Sequence, residues 1–323
     1  MPHVLMLRSI HPDAMASLHA AGCTTEVLEF PDARNMAEAL PRADAVTVRL
    51  TPITAAVMDA APNLRIIARH GVGFDSVDIP AATARGIPVT ITPDANAQSV
   101  AEHAMMLLLS CARQTRVYDA RLRGCGWGQV AEAPTFDLAG RSILVLGFGR
   151  IGGRVARLCA AFGMRVLVHD PYIPQNTIKG AGFIPVADLH AGLAEADMVT
   201  LHVPSSEATR RMIDAPFLAA MKPGGAFVNT ARGTLVDEAA LHAALTNGHL
   251  ACAGLDVFET EPVPAPIPLF DLPNVTVSPH SAASTAQGMQ RMAMSCAESI
   301  LATFAGTLTP DVCVNPDVLR RNA

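Results

Sequence analysis

The chain has 323 residues, of which 50% are apolar and 16% are charged, and its mean hydropathy is +0.30. This length exceeds what one hydrophobic core usually serves, and the composition excludes a disordered chain, so we expect two folded domains. The net charge of -5 and the isoelectric point near 6.1 exclude a general electrostatic attraction to nucleic acid or anionic lipid.

Short β-rich runs alternate with helical stretches in the first hundred residues. Helical segments such as Ala14–Ala21 and Asn35–Leu40 separate the runs. This alternation predicts a parallel sheet that is covered by helices on both faces. The predicted strands are Val4–Leu7, Thr25–Phe30, Ala45–Leu50, Arg65–Ala68 and Pro88–Ile91.

A long helix is predicted between two series of strands. Apolar residues in Ala97–Arg113 follow the three-four spacing of one helical face, which predicts a helix that bridges two units. The strands that follow it imply a second doubly wound unit. They are Ser142–Leu146, Arg165–His169, Met198–Val203, Ala226–Thr230, Ala251–Val257 and Val275–Ser278.

The last forty residues predict a return of the chain to the first unit. Ser284–Phe304 has a helical pattern, capped by its first residue and ended by Gly306, and no strand pattern follows. The tail Val314–Leu319 is expected to join the first unit. The predicted fold class is therefore α/β with two doubly wound parallel sheets, residues 98–284 being inserted into a discontinuous domain of residues 1–97 and 285–323.

The segment Gly147–Gly152 has the glycine spacing of a dinucleotide-binding turn, G-x-G-x-x-G. Glycines at these places permit a tight turn, a close approach of backbone N–H groups to a pyrophosphate, and close packing of the next helix on the strand. The pattern alone is weak, but here it follows the predicted strand Ile143–Leu146 and opens an amphipathic helix, Ile151–Phe162. It therefore predicts a dinucleotide site.

Asp170 ends the next predicted strand, close to the spacing of about 20 residues at which a carboxylate meets the adenosine ribose hydroxyls. A 2'-phosphate there would meet a negative charge, and Pro171 offers no compensating cation. We therefore predict NAD rather than NADP as the cofactor. The alternative interpretation is a solvated turn aspartate.

Three chemically distinct residues, Arg232, Glu261 and His280, each follow a predicted strand of the second series. We expect all three at the carboxyl edge of the sheet, where open α/β sheets bind ligands. Reduction of a 2-keto acid needs a fixed cation for the carboxylate and carbonyl oxygens and a proton donor for the developing alkoxide. Arginine suits the first role, and a histidine beside a carboxylate suits the second. His103 and His242, inside predicted helices, are interpreted as structural.

Seven ordered motifs resemble the D-isomer-specific 2-hydroxyacid dehydrogenase family over essentially the full length, in its phosphoglycerate dehydrogenase and hydroxypyruvate reductase-like branch. The resemblance implies that residues 98–284 form a Rossmann NAD-binding domain, and that residues 1–97 and 285–323 form a flavodoxin-like substrate domain without a regulatory extension. The motifs are Arg69–Asp75, Ala95–His103, Leu146–Gly152, His202–Pro204, Asn229–Gly233, Gly254–Phe258 and Pro279–His280.

This resemblance implies roles for the candidate site residues. Arg232 would orient the substrate, Glu261 would partner the histidine, and His280 would exchange the proton during reversible hydride transfer. One departure from the family is Ser281-Ala-Ala283, where a Gly-Gly pair is more usual. The residues implied to touch the cofactor are Gly147, Gly149, Arg150, Ile151, Gly152, Asp170, Val203, Pro204, Thr209, Thr230, Ala231 and Asp256, the last at the nicotinamide end.

The first unit is expected to hold the rest of the substrate. In the family, the substrate carboxylate meets backbone amides of the turn that is here Gly71-Val72-Gly73, an anion-binding nest. Arg49 and Arg69 lie at the ends of strands near this turn. Their positions favour contact with a second anionic group of the substrate, such as phosphate, sulfonate or a distal carboxylate. Surface ion pairs are the alternative for these arginines, and smaller substrates such as glyoxylate or hydroxypyruvate stay open.

The resemblance also implies a homodimer, with the helix after Ala97 and the segment around Trp127 in the interface. Neither a metal, nor nucleic acid, nor a membrane is an expected partner. The longest strongly apolar stretch, Ala104–Cys111, is much shorter than the about 20 residues of a membrane span. Met1–Arg8 lacks the pattern of a secretion signal, and the odd number of cysteines without Cys-x-x-Cys spacing favours reduced thiols in the cytoplasm.

Two competing functions stay open. Corepressor relatives use this fold as an NAD(H)-sensing dimer and can retain the same three residues, so keto-acid turnover must separate a sensor from an enzyme. Formate dehydrogenase is a nearer rival, but that relative carries Gln where Glu261 stands here.

Overall fold

The computed structural model describes residues 1–128 and 135–321. The chain divides into two compact units: Met1–Asn96 together with the segment from Ser284 onward, and Ala97–Ala283. We refer to them as unit 1 and unit 2.

Unit 1 contains a five-stranded parallel sheet with the strand order β2-β1-β3-β4-β5, where β1 is His3–Leu7, β2 Thr24–Leu28, β3 Ala45–Val48, β4 Ile66–Arg69 and β5 Val89–Thr90. This is the order of a flavodoxin-like doubly wound sheet, so the predicted fold class is confirmed for this unit. Its helices are α1 (Pro12–Ala20), α2 (Ala33–Ala39), α3 (Ala55–Asp59), α4 (Ile79–Ala84), α13 (Ala286–Ala305) and α14 (Asp317–Arg321).

Both faces of this sheet are buried, because successive side chains of a strand point to opposite faces and each face is covered. Leu5, Leu7, Val46, Val48 and Ile67 belong to one core cluster. The alternate positions pack against α13, and this cluster contains Val4, Met6, Ala45, Ile66, Ala68, Ala293, Cys296, Ala297 and Ile300. A helix from the far end of the chain thus covers the first sheet.

Unit 2 contains a seven-stranded sheet, again parallel throughout, in which β6 is Ser142–Leu146, β7 Arg165–His169, β8 Ile184–Pro185, β9 Met198–Leu201, β10 Gly225–Asn229, β11 Leu250–Leu255 and β12 Val275–Val277. The strand order is β12-β11-β10-β9-β6-β7-β8, so the winding reverses between β6 and β9. In open α/β sheets ligands bind at the carboxyl ends of the strands beside such a reversal. The Rossmann-type order confirms the predicted fold class for the second unit.

The helices of unit 2 cover both faces of its sheet. They are α5 (Ala97–Arg113), α6 (Thr115–Arg123), α7 (Arg150–Ala161), α8 (Gln175–Gly180), α9 (Leu189–Glu195), α10 (Ala215–Ala220), α11 (Glu238–Thr246) and α12 (Pro268–Asp271). The predicted apolar face of α5 is buried: Val100, Ala104, Leu107, Leu108 and Cys111 are each at most 5% exposed. At Gly254 of β11, an added Cβ would lie 2.8 Å from Cβ of Leu107, so α5 packs on this strand without intervening side chain.

Several bounds of the predicted strands and helices differ from the structure by one or a few residues, and three further differences have a local explanation. The edge strand β8 was not predicted, because two residues are too few for a periodic pattern. Helix α13 is capped by Thr285, whose Oγ1 accepts a hydrogen bond from the Gly288 amide, and not by Ser284. Helix α7 begins at Arg150, directly after Gly149, one residue earlier than predicted. The predicted end of α13 at Gly306 is confirmed by its left-handed φ of 72°.

Across the part of the chain that the structure describes, no helix is both long and apolar enough to cross a bilayer. The seven cysteines are free, and five of them are buried.

Candidate active site

The glycine turn after β6 is a tight backbone contact between neighbouring strand ends. Gly147 has φ of 90°, and a Cβ added there would lie 2.7 Å from the carbonyl oxygen of His202, which follows β9. A Cβ at Gly152 would collide with the carbonyl of Gly147. Only glycine therefore lets the turn close and lets α7 lie against it.

Gly149 marks open space at the beginning of α7. A Cβ added there would have no atom within 4 Å, apart from its own chain neighbours. Gly149 is also the N-cap of this 12-residue helix, and no side chain caps the helix. The first N–H groups of α7 therefore face a space into which an anion can fit, as the pyrophosphate of a dinucleotide requires.

Asp170 lies beside this turn because β7 is paired with β6 in the sheet. Its Oδ2 accepts a hydrogen bond from the Phe148 amide at 2.8 Å, and its Oδ1 accepts one from the Tyr172 amide at 2.9 Å. These two bonds fix the carboxylate next to the glycine turn. The residues present thus fit a dinucleotide: a turn with glycines at positions 147 and 149, a helix N-terminus without a side-chain cap and an oriented carboxylate.

Arg232 lies on the turn that follows β10. The Asn229 side chain holds this turn: its Oδ1 accepts from the Ala231 amide at 2.9 Å, and its Nδ2 donates to the Arg232 carbonyl at 2.9 Å. The Arg232 guanidinium is half-buried, and its Nη1 donates to the Ala231 carbonyl at 2.7 Å. A Cβ at Gly233 would collide with the backbone of Phe258, so the turn after β10 packs directly on the turn after β11.

Glu261 and His280 form a hydrogen-bonded pair at the same edge of the sheet. Nδ1 of His280 lies 2.5 Å from Oε2 of Glu261, and Oε1 of Glu261 accepts a bond from the Phe258 amide at 2.9 Å. The His280 side chain is 32% exposed. In the described part of the chain no group hydrogen-bonds its Nε2, which is therefore available to a ligand.

The electrostatics of the pair favour an ionised carboxylate. Burial alone would raise the pKa of Glu261, but the hydrogen bond and charge of His280 oppose this. The Phe258 amide and the charge of Arg232 add to that opposition, and the pKa of Glu261 falls below its ordinary value of 4.5. Arg232, Glu261 and His280 are thus close enough to interact electrically, as their shared place at the ends of β10, β11 and β12 predicts.

Asp256, predicted to touch the cofactor, is fully buried and engaged by the protein itself. Its Oδ1 accepts hydrogen bonds from the Ser278 hydroxyl at 2.6 Å and the Ser281 amide at 2.9 Å, and its Oδ2 accepts one from the Ala282 amide at 2.9 Å. The segment that carries His280 is therefore held by this carboxylate. The role of Asp256 toward a cofactor stays a prediction.

The other residues predicted to contact the cofactor lie around the same carboxyl edge. Arg150 and Ile151 begin α7, and Val203 and Pro204 follow β9. Thr209 is bonded locally: its Oγ1 donates to the Pro204 carbonyl at 2.9 Å. Thr230 and Ala231 follow β10, and Oγ1 of Thr230 is buried without a hydrogen-bond partner in the described residues. Such an unpaired hydroxyl fits a site that a polar ligand completes.

The residues predicted to form an anion nest in unit 1, Gly71, Val72 and Gly73, lie in the turn after β4. Gly71 has φ of 139°, and its amide donates to the Arg69 carbonyl at 2.9 Å. Within the described residues, the amides of Val72 and Gly73 have no hydrogen-bond acceptor, so these two remain for a ligand. A binding role of Gly71, Val72 and Gly73 stays a prediction, and the amides of Val72 and Gly73 are the donors that it would use.

Two arginines and a histidine lie together near this turn. Arg49 is half-buried, and its Nη2 donates to Sδ of Met289 at 4.0 Å. Arg69 donates from Nη1 to the carbonyl of His70. His70 is 2% exposed, and burial, followed by the charges of Arg49 and Arg69, lowers its pKa to about 4, so its ring is neutral at neutral pH. Sequence reasoning missed His70, because no local pattern marks a buried ring between two cations.

The sequence of unit 2 matches a known protein family. A family model described as the NAD-binding domain of D-isomer-specific 2-hydroxyacid dehydrogenases matches residues 105–282, more than half of the chain. The chain belongs to that family. Residues 105–282, which lie within unit 2, thus correspond to the NAD-binding domain of this family.

Relatives of this family cover nearly all of the chain. The chain is 44% identical over 314 residues to a D-3-phosphoglycerate dehydrogenase of Mycobacterium tuberculosis. The aligned segment covers 96% of this chain and 58% of the relative. The chain is also 40% identical over 297 residues to a glyoxylate reductase of Korarchaeum cryptofilum. This alignment covers 90% of this chain and 88% of the relative. The chain therefore spans a little over half the length of its phosphoglycerate dehydrogenase relatives.

A solved structure of the family has the same fold. The D-lactate dehydrogenase of Aquifex aeolicus, solved with NAD and lactic acid, superposes with a TM-score of 0.87 at 28% identity and covers 97% of this chain and 99% of that chain. The agreement extends over both units of the dehydrogenase fold.

Proposed function

We propose that this chain catalyses the reversible, NAD(H)-dependent interconversion of a D-2-hydroxy acid and its 2-keto acid. The observation that carries the proposal is the hydrogen bond of 2.5 Å between Nδ1 of His280 and Oε2 of Glu261, with Arg232 acting on the same carboxylate. This arrangement leaves Nε2 of the imidazole for proton exchange and supplies a cation for a carboxylate-bearing substrate. Each relative compared above is named as an enzyme, which supports an enzyme over a sensing protein.

When bound, the nicotinamide supplies or accepts the hydride at the substrate carbon. In the reductive direction, Nε2 of His280 would donate the proton to the carbonyl oxygen, and the Glu261 carboxylate would stabilise the imidazolium beforehand. The Arg232 guanidinium would bind the substrate carboxylate and carbonyl oxygens, which fixes the orientation of the carbonyl group. In the oxidative direction His280 would accept the same proton.

We further propose NAD rather than NADP as the cofactor. The two hydrogen bonds that fix the Asp170 carboxylate beside the glycine turn support this choice, because the 2'-phosphate of NADP would meet this negative charge. A clear preference for NADPH over NADH in the assay described next would contradict it.

The proposed activity is tested by following NADH absorbance with glyoxylate, hydroxypyruvate, phosphohydroxypyruvate, oxaloacetate, sulfopyruvate and branched keto acids. For the best substrate, His280→Asn should lower kcat by about 100-fold or more and leave the dissociation constant of NADH unchanged, since general acid catalysis contributes at least that factor. Wild-type turnover of none of these acids would reject the proposal. Unchanged kcat in His280→Asn would reject the role of this histidine.

A substrate with a second anionic group is supported by the surroundings of Arg49. Burial lowers the pKa of this arginine and the charge of Arg8 lowers it further. Among the described residues no carboxylate pairs with the Arg49 guanidinium. A partly buried cation without a counter-charge is costly, and an anion of the substrate would compensate it. The name of the M. tuberculosis relative agrees with such a substrate, whereas that of the K. cryptofilum relative keeps smaller acids open.

Arg49→Ala should therefore raise KM for phosphohydroxypyruvate or sulfopyruvate by about tenfold or more, and change KM for glyoxylate much less, because glyoxylate lacks the second charge. Arg34→Ala, which removes a 91% exposed guanidinium from α2 of the same unit, is the control. Equal effects of Arg49→Ala on all acids would contradict a second-anion site.

Assembly and location complete the proposal. A homodimer is supported by exposed apolar side chains on α5, on α6 and after α6, namely Met106 at 41%, Leu122 at 55% and Trp127 at 86% exposure. Sedimentation equilibrium tests the assembly, and a monomer at micromolar concentration would reject it. The seven free thiols support a cytoplasmic location, which imaging of a tagged copy in cells would test.

A further inference from the structure

The catalytic histidine stands on a backbone conformation that needs support. His280 has φ of 49°, in the left-handed region that residues with a side chain seldom adopt. Such a conformation persists only where surrounding bonds hold it. The His280 amide donates to the Asp256 carbonyl at 2.7 Å, and the residues on both sides are bonded to the Asp256 carboxylate. Asp256 thus fixes the loop that aims the imidazole.

The buried carboxylate is in turn connected to a second histidine. Nε2 of His103, on α5, lies 2.8 Å from Oγ of Ser278 and 3.5 Å from Oδ1 of Asp256. A carboxylate only accepts, so the Ser278 hydroxyl donates to Asp256 at 2.6 Å and accepts the bond from His103. Nε2 of His103 therefore carries the proton of this bond. His103 thus donates to Ser278, and Ser278 donates to the Asp256 carboxylate, where the series of hydrogen bonds ends.

The packing of α5 determines the position of His103, the first group in this series of hydrogen bonds. His103 is one helical turn before Leu107, whose side chain lies against the backbone of β11 where Gly254 has no Cβ. That close approach fixes the distance between α5 and the strand whose end carries Asp256. The imidazole is 17% exposed on its side chain and thus mostly enclosed.

We infer that His103 is a positioning residue for His280, acting through Ser278 and Asp256. The inference rests on the proposed function, since it concerns the same proton exchange. His103 orients the Ser278 hydroxyl, the hydroxyl and two loop amides orient the Asp256 carboxylate, and the carboxylate holds His280 in its left-handed conformation. The hydrogen bond from His280 to Glu261 then determines where Nε2 points.

The test compares three single variants with the wild-type chain in reduction of hydroxypyruvate and glyoxylate by NADH. His103→Leu removes the donor, and His103→Gln keeps an N–H at similar reach. His242→Leu is the matched control, because His242 is a half-buried helical histidine of the same unit outside this network. We expect kcat to fall by about 10- to 100-fold in His103→Leu, since a small misplacement of a catalytic group has costs of this size. The Gln variant should recover most of the loss, and the control should match the wild type.

A second readout does not depend on turnover. The imidazole nitrogens of His280 can be observed by nuclear magnetic resonance in the free enzyme, with the signal assigned by its absence in His280→Asn. This signal should move or broaden in His103→Leu, return in His103→Gln and stay unchanged in His242→Leu. A role of His103 in global stability alone would lower Tm without these selective effects.

Ser278→Ala keeps the inference testable if His103→Leu fails to fold, because it breaks the same series of hydrogen bonds without a change in α5. The double variant should lose no more activity than the more affected single variant, since both changes break one connection. Multiplicative losses, or wild-type kcat together with an unmoved His280 signal in His103→Leu, would overturn the inference. Lack of turnover by the wild type would reject the proposed function instead, and the magnetic resonance comparison would still decide the inference.

Discussion

At the scale of single residues, chemical type and position after a strand predict much of the site, but not its supports. Arg232, Glu261 and His280 each follow a strand of one parallel sheet, so their meeting can be argued from sequence. His103 could not be identified in this way. Its hydrogen bond to Ser278 joins residues 175 positions apart, and it depends on how closely α5 packs against β11.

The depressed pKa of Glu261 predicts a change in stability with pH. A carboxyl whose pKa is lower in the folded state than in the unfolded state stabilises the fold above its unfolded value, near 4.5, and loses that contribution as pH falls through the folded value. The Tm advantage of the wild-type chain over Glu261→Gln should therefore be largest above pH 4.5 and shrink below it. Calorimetry of both proteins across this range measures it. A difference in Tm that grows on acidification would contradict the assignment.

At the scale of elements, long or periodic segments are predictable and short ones are not. The bounds of α5, β6 and β7 agree with those predicted from periodicity. The two residues of β8 form a strand only because β7 is beside them, and the cap of α13 shifts by one residue because Thr285 reaches the Gly288 amide. Tertiary partners decide such details, and a local pattern does not contain them.

The glycines at the beginning of α7 predict opposite results for two neighbouring substitutions. Gly152→Ala places a methyl group against the Gly147 carbonyl and should destabilise the protein by about 1–3 kcal/mol while it weakens NADH binding. Gly153→Ala is the matched control. Its Cβ would meet side-chain atoms no nearer than 3.8 Å, and alanine is the better helix former, so stability should hold or increase by up to about 1 kcal/mol.

Thermal unfolding and fluorescence titration with NADH measure both effects of these substitutions. Equal Tm values for Gly152→Ala and Gly153→Ala would show that the contact of α7 with the glycine turn is not tight.

At the scale of the whole molecule, the candidate groups are divided between the two units. The glycine turn, Asp170 and the Arg232, Glu261 and His280 group belong to unit 2, whereas the Val72 and Gly73 amides and Arg49 belong to unit 1. The α/β fold of both units was predictable from the alternation of strands and helices. Sequence has no comparable signal for which amides of the Gly71 turn stay unbonded, because that depends on the carbonyl of Arg69.

This division predicts that two ligands protect different backbone amides from hydrogen exchange. NADH alone should slow exchange of the first amides of α7 in unit 2, and a keto-acid analogue such as oxamate, added with NADH, should also slow Val72 and Gly73 in unit 1. Mass spectrometry of peptides from both turns measures this. Full protection of the unit 1 turn by NADH alone, or none with oxamate, would argue against a carboxylate at these two amides.

The position of helix α13 in the sequence affects how the protein folds during its synthesis. Its residues Ala293, Cys296, Ala297 and Ile300 cover the face of the first sheet that contains Val4, Met6 and Ile66. Translation supplies those strands early and their cover only after all of unit 2 has left the ribosome. During synthesis, one apolar face of the first sheet therefore stays exposed to solvent while the whole of unit 2 is being made. We expect chaperones to bind the nascent chain mainly in that interval.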